Sequence, residues 1–191
     1  MMRRAEAIAR VVAALGDDVV VTANGWIGRE TCAAADRPEN FYMLGSMGLA
    51  APIALGIALA QPERNVVVFD GDGNLFMTLG VLATIAEQRP ANLLHIVFDN
   101  GVYGSTGGQR SPSQHVALDA LALAAGYAAV DRATTAEELD ERLRRRPAGP
   151  AFLLVKVAAE ADGDAPRVPH EPEEIARRVR DAVAVARAEV S

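Results

Sequence analysis

The chain has one cysteine, Cys32, among its 191 residues. A single thiol excludes an internal disulfide and any cysteine-ligated iron–sulfur cluster or zinc site built from this sequence alone. Positive charge is also short, with 19 Lys and Arg against 25 Asp and Glu and a formal net charge of −6. A general nucleic-acid binder needs the opposite balance, so any anion must be bound locally. No uncharged apolar run reaches the length of a membrane span. The opening "MMRRAEAIARVVAALGDD" lacks the unbroken apolar core and small-residue cleavage site of a secretory leader and reads as an amphipathic helix. These absences predict a soluble, cytoplasmic protein. The Walker lysine and the dinucleotide glycine pattern are missing too, which disfavours a nucleotide-binding module. There is no internal repeat.

What remains is apolar and strongly patterned, with half of the residues hydrophobic. "DVVVTA", "NFYML", "NVVVFD", "LLHIVFD" and "AFLLVKV" are short runs with little alternation, as expected of strands covered on both faces. Between them lie "SMGLAAPIALGIALAQ", "NLFMTLGVLATIAEQR", "ALDALALAAG" and "TAEELDERLRRR", each of helical length and composition. The alternation predicts an α/β fold, a mainly parallel sheet sandwiched by helices with right-handed crossovers. The length suits one domain over residues 1–191. Its only composition break is the Pro- and acid-rich "AEADGDAPRVPHEPEE", a connection from about residue 160 to a last helix from about Glu173.

"FDGDGNLFMTLG" places Asp70, Gly71, Asp72 and Gly73 at the carboxyl end of a predicted strand, where open α/β sheets form their ligand crevices. A helix starting near Asn74 would turn free N–H groups toward the same point, which favours an anion. A carboxylate beside a phosphate repels it unless a hard cation joins the two, which gives Asp72 a chemical purpose. Taken alone, the tripeptide also fits a tight turn with a helix-capping Asp. The next strand end adds weight. After "LLHIVFD" comes "NGVYGSTGGQ", with Asn100 placed to offer a carbonyl oxygen to the same cation and glycines and hydroxyls suited to phosphate.

This order, GDG followed after one helix and one strand by Asn-Gly, resembles the fingerprint of thiamine diphosphate-dependent enzymes. The likeness runs from about Asn24 to Val157 and matches their diphosphate-binding domain. It implies thiamine diphosphate and Mg2+ as cofactors. Asp72 and Asn100 would hold the metal by side chains, and Val102 by its main-chain carbonyl. Gly71, Gly73 and Asn74 would approach the diphosphate, with Tyr103 and Gly104 closing over it. Many relatives carry Asn-Asn where this chain has Asp99-Asn100; the second position is the ligand. Upstream, "FYMLGSMGLAAPIALGIALA" matches the segment that bends the cofactor. There Met47 would wedge between the rings, Gly45 would accept a hydrogen bond from the aminopyrimidine, and Ser46 lies between them. Core packing is the other role open to Met47.

The resemblance also implies a missing piece. These enzymes take an activating Glu from a pyrimidine-binding domain, usually across an interface, and 191 residues are too few for two domains of about 150 each. A separate pyrimidine-binding α subunit is therefore expected, and Glu30, Glu39 and Glu87 read as solvated. In detail, "NFYMLGSMGLA", "GDGNLFMTLGVLATIA" and "DNGVYGSTGGQ" are similar to the small subunits of sulfopyruvate decarboxylases and to the matching region of phosphonopyruvate decarboxylases, although "PSQH" departs from the former. The implied activity is that of a β subunit in a two-chain 2-oxoacid decarboxylase. Alternatives are an acetolactate synthase-like carboligase subunit and a non-catalytic cofactor-binding scaffold; the single cysteine disfavours an oxidoreductase passing electrons to iron–sulfur clusters. A substrate with a second anion needs a cationic pocket, for which Arg29, Arg110 and His115 are the candidates; each also reads as a solvated surface residue. His95 reads as a core histidine, and Trp26 as an interface or core aromatic.

Overall fold

The computed structural model describes residues 1–159 and 163–188, with backbone only for 185–188. The first elements are α1 (Arg4–Ala13), β1 (Val19–Thr22), α2 (Trp26–Ala34), β2 (Asn40–Tyr42), α3 (Ala50–Ala60) and β3 (Val66–Gly71). They are followed by α4 (Asp72–Phe76), α5 (Val81–Gln88), β4 (Leu93–Asp99), the small strands β5 (Val102–Tyr103) and β6 (Gln109–Arg110), and α6 (Leu118–Ala125). β7 (Ala129–Ala133), α7 (Ala136–Arg145), β8 (Ala151–Lys156) and α8 (Pro172–Ala188) complete the chain. Residues 160–162, in the expected connection to the last helix, lie outside the described residues.

Six strands form one sheet in the order β2-β1-β3-β4-β8-β7, every neighbouring pair parallel. Parallel strands need crossovers that cover both faces, and the valine-rich runs supply apolar side chains in both directions. Val66 and Val68 of β3 point to a core shared with α3, α5 and α6, whereas Val67 and Phe69 point to a second core with α1, Ile27 of α2 and α7. Each such side chain fully buried contributes roughly 1.5–3 kcal/mol. The five expected strands are all present. α8 packs against β2, where Arg178 donates to Asp36 (2.9 Å).

Three elements differ from the sequence-based expectation. "NLFMTLGVLATIAEQR" is two helices, because the chain turns at Met77–Gly80, where the Thr78 hydroxyl donates to the Gly48 carbonyl (2.6 Å). Gly80, a poor helix former, sits at the start of α5. The first of these helices begins at Asp72 and not near Asn74. "AVDRA" forms the edge strand β7, whose charged Asp131 and Arg132 obscure a strand pattern. "WIGRETCAA" forms α2.

The order of strands creates the crevice. From β1 the chain moves outward to β2, and from β3 it moves the other way to β4, so the direction reverses between β1 and β3. Ligands of open α/β sheets bind outside the strand ends at such a point. Among the described residues, no helix is long and apolar enough to cross a membrane.

Candidate functional site

An open cleft lies at the carboxyl ends of β1, β3 and β4. Met47, Gly71, Asp72, Gly73, Asn74, Asn100, Val102, Tyr103 and Gly104 all line it, drawn from three separate stretches of chain. Gly45 and Ser46 belong to the exposed part of the loop before Met47 and are not among the lining residues. The glycine after Asp72 is there for space: a Cβ on Gly73 would lie 2.5 Å from Cε1 of Tyr103. Tyr103 thus packs directly against the Gly73 backbone, where a side chain would collide with its ring. Gly101 has φ of 71° and lets the chain turn sharply out of β4, with the Val102 N–H donating to Asn100 Oδ1 (3.1 Å). That Asx-type turn presets the Asn100 side chain and leaves its carbonyl oxygen a second lone pair.

Asp72 is 2% exposed. Its Oδ2 accepts from the hydroxyls of Ser111 and Ser113, the latter at 3.0 Å. Ser113 Oγ also lies 2.7 Å from Asp99 Oδ1 and 2.8 Å from Ser111 Oγ. Each hydroxyl carries one proton, so two protons serve three contacts to two buried carboxylates. One of those contacts is left without a hydrogen between its oxygens unless a proton or a cation joins the cluster. Burial pushes the Asp72 carboxyl above its ordinary 3.8, the Asp99 charge adds to the rise, and hydrogen bonds from Ser111, Ser113 and the Gly73 N–H oppose it. Asp99 is itself compensated by Lys156, the chain's only lysine, whose Nζ donates to Oδ2 at 2.6 Å. Among the described residues no ion pair is found for Asp72.

This donor set suits a hard cation. No group of three His, Cys, Asp or Glu side chains able to hold a metal exists among the described residues. A cation here would take one carboxylate, one amide oxygen, main-chain oxygen and the oxygens of a bound anion, which is the pattern of Mg2+ on a diphosphate.

The three substrate candidates are not among the residues lining the cleft. Arg29 lies over the Trp26 ring, 4.6 Å from its centroid. Arg110 is exposed on β6 and His115 is exposed after the short turn Pro112–Gln114. The cation that does line the cleft is Arg4, which donates two 2.8 Å bonds to Glu30. Glu30 is therefore buried and paired, at 7% exposure, and not solvated as expected. Asn24 and Trp26 also line the cleft. The Asn24-Gly25 step that ends β1 repeats the strand-then-turn signal of the other two motifs and marks this third side. Ser111, Ser113 and Lys156 carry no comparable local signal, since they meet Asp72 and Asp99 only through the fold.

Comparison with known proteins places the chain among relatives. The chain is 45% identical over 182 residues to a phosphonopyruvate decarboxylase of Streptomyces viridochromogenes, covering 93% of this chain and 45% of that one. It spans about half the length of the phosphonopyruvate decarboxylases it matches. It is 40% identical over 178 residues to a sulfopyruvate decarboxylase subunit beta of Methanothermobacter thermautotrophicus, covering 93% of this chain and 94% of that subunit. The benzoylformate decarboxylase structure from Polynucleobacter necessarius shares the fold, with a TM-score of 0.73 at 20% identity over 84% of this chain and 34% of that one. Residues 22–187 match the thiamine pyrophosphate enzyme, C-terminal TPP binding domain, and the chain belongs to that family.

Proposed function

We propose that this chain is the diphosphate-binding half of a thiamine diphosphate- and Mg2+-dependent 2-oxoacid decarboxylase, completed by a separate α subunit that carries the pyrimidine-binding domain. The observation that carries the reading is the meeting of Asp72, Asn100, Val102 and Met47 in one cleft. Asp72 and Asn100 would hold the metal with side-chain oxygens and Val102 with its carbonyl. Gly71, Gly73 and Asn74 bring the backbone close to the diphosphate, while Tyr103 and Gly104 cover it. Met47, which lines the cleft, would wedge against the bound cofactor, and the Gly45 carbonyl, on the exposed loop beside it, would accept from the aminopyrimidine. When bound, the cofactor supplies the carbon nucleophile and the electron sink for loss of CO2. The chain's own part is to anchor, bend and shield.

The substrate class rests on the relatives, whose names specify 2-oxoacids with a second acidic group, phosphonopyruvate and sulfopyruvate. Arg4, the guanidinium that lines the cleft, joins Arg29, Arg110 and His115 as a candidate cation for such a group. The test is CO2 release from the reconstituted α and β chains with cofactor and Mg2+. Phosphonopyruvate or sulfopyruvate is expected to exceed pyruvate by about tenfold or more in kcat/KM, the worth of one charge-assisted contact. No release from any 2-oxoacid would overturn the decarboxylase reading.

Gly73→Ala checks the cofactor half independently. The new methyl must drive the Tyr103 ring from the position it holds 2.5 Å away. Calorimetry is expected to show thiamine diphosphate binding weakened by about tenfold or more, with the far-ultraviolet dichroism of the fold unchanged.

A further inference from the structure

Behind the cleft runs a second polar chain that the family signature does not account for. Tyr127, His95, Asp70 and Asn74 are 4%, 0%, 1% and 6% exposed, in the middle of an otherwise apolar core. His95 Nδ1 lies 3.2 Å from the Tyr127 hydroxyl and its Nε2 lies 3.1 Å from Asp70 Oδ2. Asp70 Oδ1 accepts from Asn74 Nδ2 at 2.6 Å and from the Gly71 N–H at 2.8 Å. Asn74 Oδ1 in turn accepts from the Gly48 N–H at 2.9 Å. A carboxylate at one end and an N–H at the other allow only one orientation of the Asn74 amide. The carboxylate also calls for Nε2–H on His95, leaving Nδ1 to accept from the Tyr127 hydroxyl. Burial raises the Tyr127 phenol, so that hydroxyl stays protonated.

The chain ends on the loop that carries Met47. Gly48 is gripped twice, its N–H by Asn74 and its carbonyl by the Thr78 hydroxyl at 2.6 Å. The loop needs restraint. Ser46 and Gly48 have φ of 58° and 93°, a conformation costly for Ser, and Leu44, Gly45 and Ser46 are exposed. Burying a carboxylate and an imidazole costs stability that apolar residues would not, so their presence calls for a purpose beyond packing. We propose that Asp70, Asn74, His95 and Thr78 are positioning residues that clamp the Ser46–Gly48 loop and thereby set where Met47 stands in the cleft. The clamp rests on the function proposed above only for its consequence in catalysis, not for its existence.

Two measurements on the same variants test it. Amide hydrogen exchange of the 44–49 segment, in the full chain with no cofactor added, reads the clamp directly. Thr78→Val and His95→Leu are expected to speed that exchange by about tenfold while β1 is unaffected, and His95→Gln, which keeps a donor toward Asp70, is expected to restore protection. In the reconstituted enzyme the first two should lower kcat by about tenfold, with thiamine diphosphate affinity changed by less than about threefold. They should match Met47→Ala in that split. Unchanged loop exchange in both variants would overturn the clamp. Loosened exchange with normal turnover per bound cofactor would overturn its positioning role. If the parent assembly releases no CO2, the exchange data still decide the clamp, so its failure is distinct from failure of the decarboxylase reading.

Discussion

Asp72→Asn is expected to lose Mg2+-dependent binding of thiamine diphosphate and, in EDTA, to melt higher than the parent chain. Both effects come from the same oxygen cluster. Asp72 offers the charge that joins a cation to an anion, and an amide in its place removes that charge, so the loss should reach about 100-fold or more. Without a metal, the charge is a burden: Asp72 is 2% exposed and linked through two hydroxyls to a second buried carboxylate, Asp99. An Asn amide adds the donor that the contacts with Ser111 and Ser113 lack. A gain of about 1 kcal/mol would raise Tm by roughly 2–4 °C in a chain of this size. The pH dependence carries a definite sign. Burial and Asp99 raise the folded pKa above the ordinary 3.8, so the ionised form is penalised in the fold. That penalty is complete above the folded pKa and fades as pH falls to the ordinary value. The advantage of Asn should therefore be present at neutral pH and vanish in acid. Calorimetry and thermal melts in EDTA check the two halves; undiminished cofactor binding by the folded variant would sink the metal-bridge reading.

These 191 residues by themselves are expected to release no CO2. Among the described residues, the ionisable ones lining the cleft are Arg4, Asp72 and Tyr103, with no glutamate. Glu30 is engaged with Arg4, and Glu39 with Arg37 at 3.6 Å. The activating carboxyl is proposed to come from a pyrimidine-binding domain on the α subunit. The edge of the cleft loop is also left apolar and bare, with Leu44, Leu49 and Met77 at 52%, 42% and 59% exposure. Such a patch is suited to cover by another protein surface. With thiamine diphosphate, Mg2+ and either acidic 2-oxoacid, the isolated chain should remain at the uncatalysed background, and addition of the α chain should raise turnover by about a thousandfold or more. Steady decarboxylation by the isolated chain would overturn the need for a partner.

Local pattern was enough for most of the elements and for the two motifs that line the cleft. The valine-rich runs, "GDG" at the end of one and "NG" at the end of the next, are short-range signals, because strand period and turn chemistry are set by neighbouring residues. From them the sequence by itself determined the parallel α/β class, the two sides of the cleft at Asp72 and Asn100, and the membership in a cofactor-binding family. It did not determine the edge strand β7, whose Asp131 and Arg132 are tolerated because an edge is half solvated. Nor did it determine the break at Thr78, which exists because a hydroxyl reaches a carbonyl 30 residues away. The polar pairings were decided by tertiary structure alone: Lys156 with Asp99 across 57 residues, Ser111 with Asp72 across 39, and Arg4 with Glu30 across 26. The physical reason is that hydrogen bonds and ion pairs are many-to-many in sequence. Any hydroxyl or cation could serve any carboxylate, and only strand order and register bring one particular pair within reach.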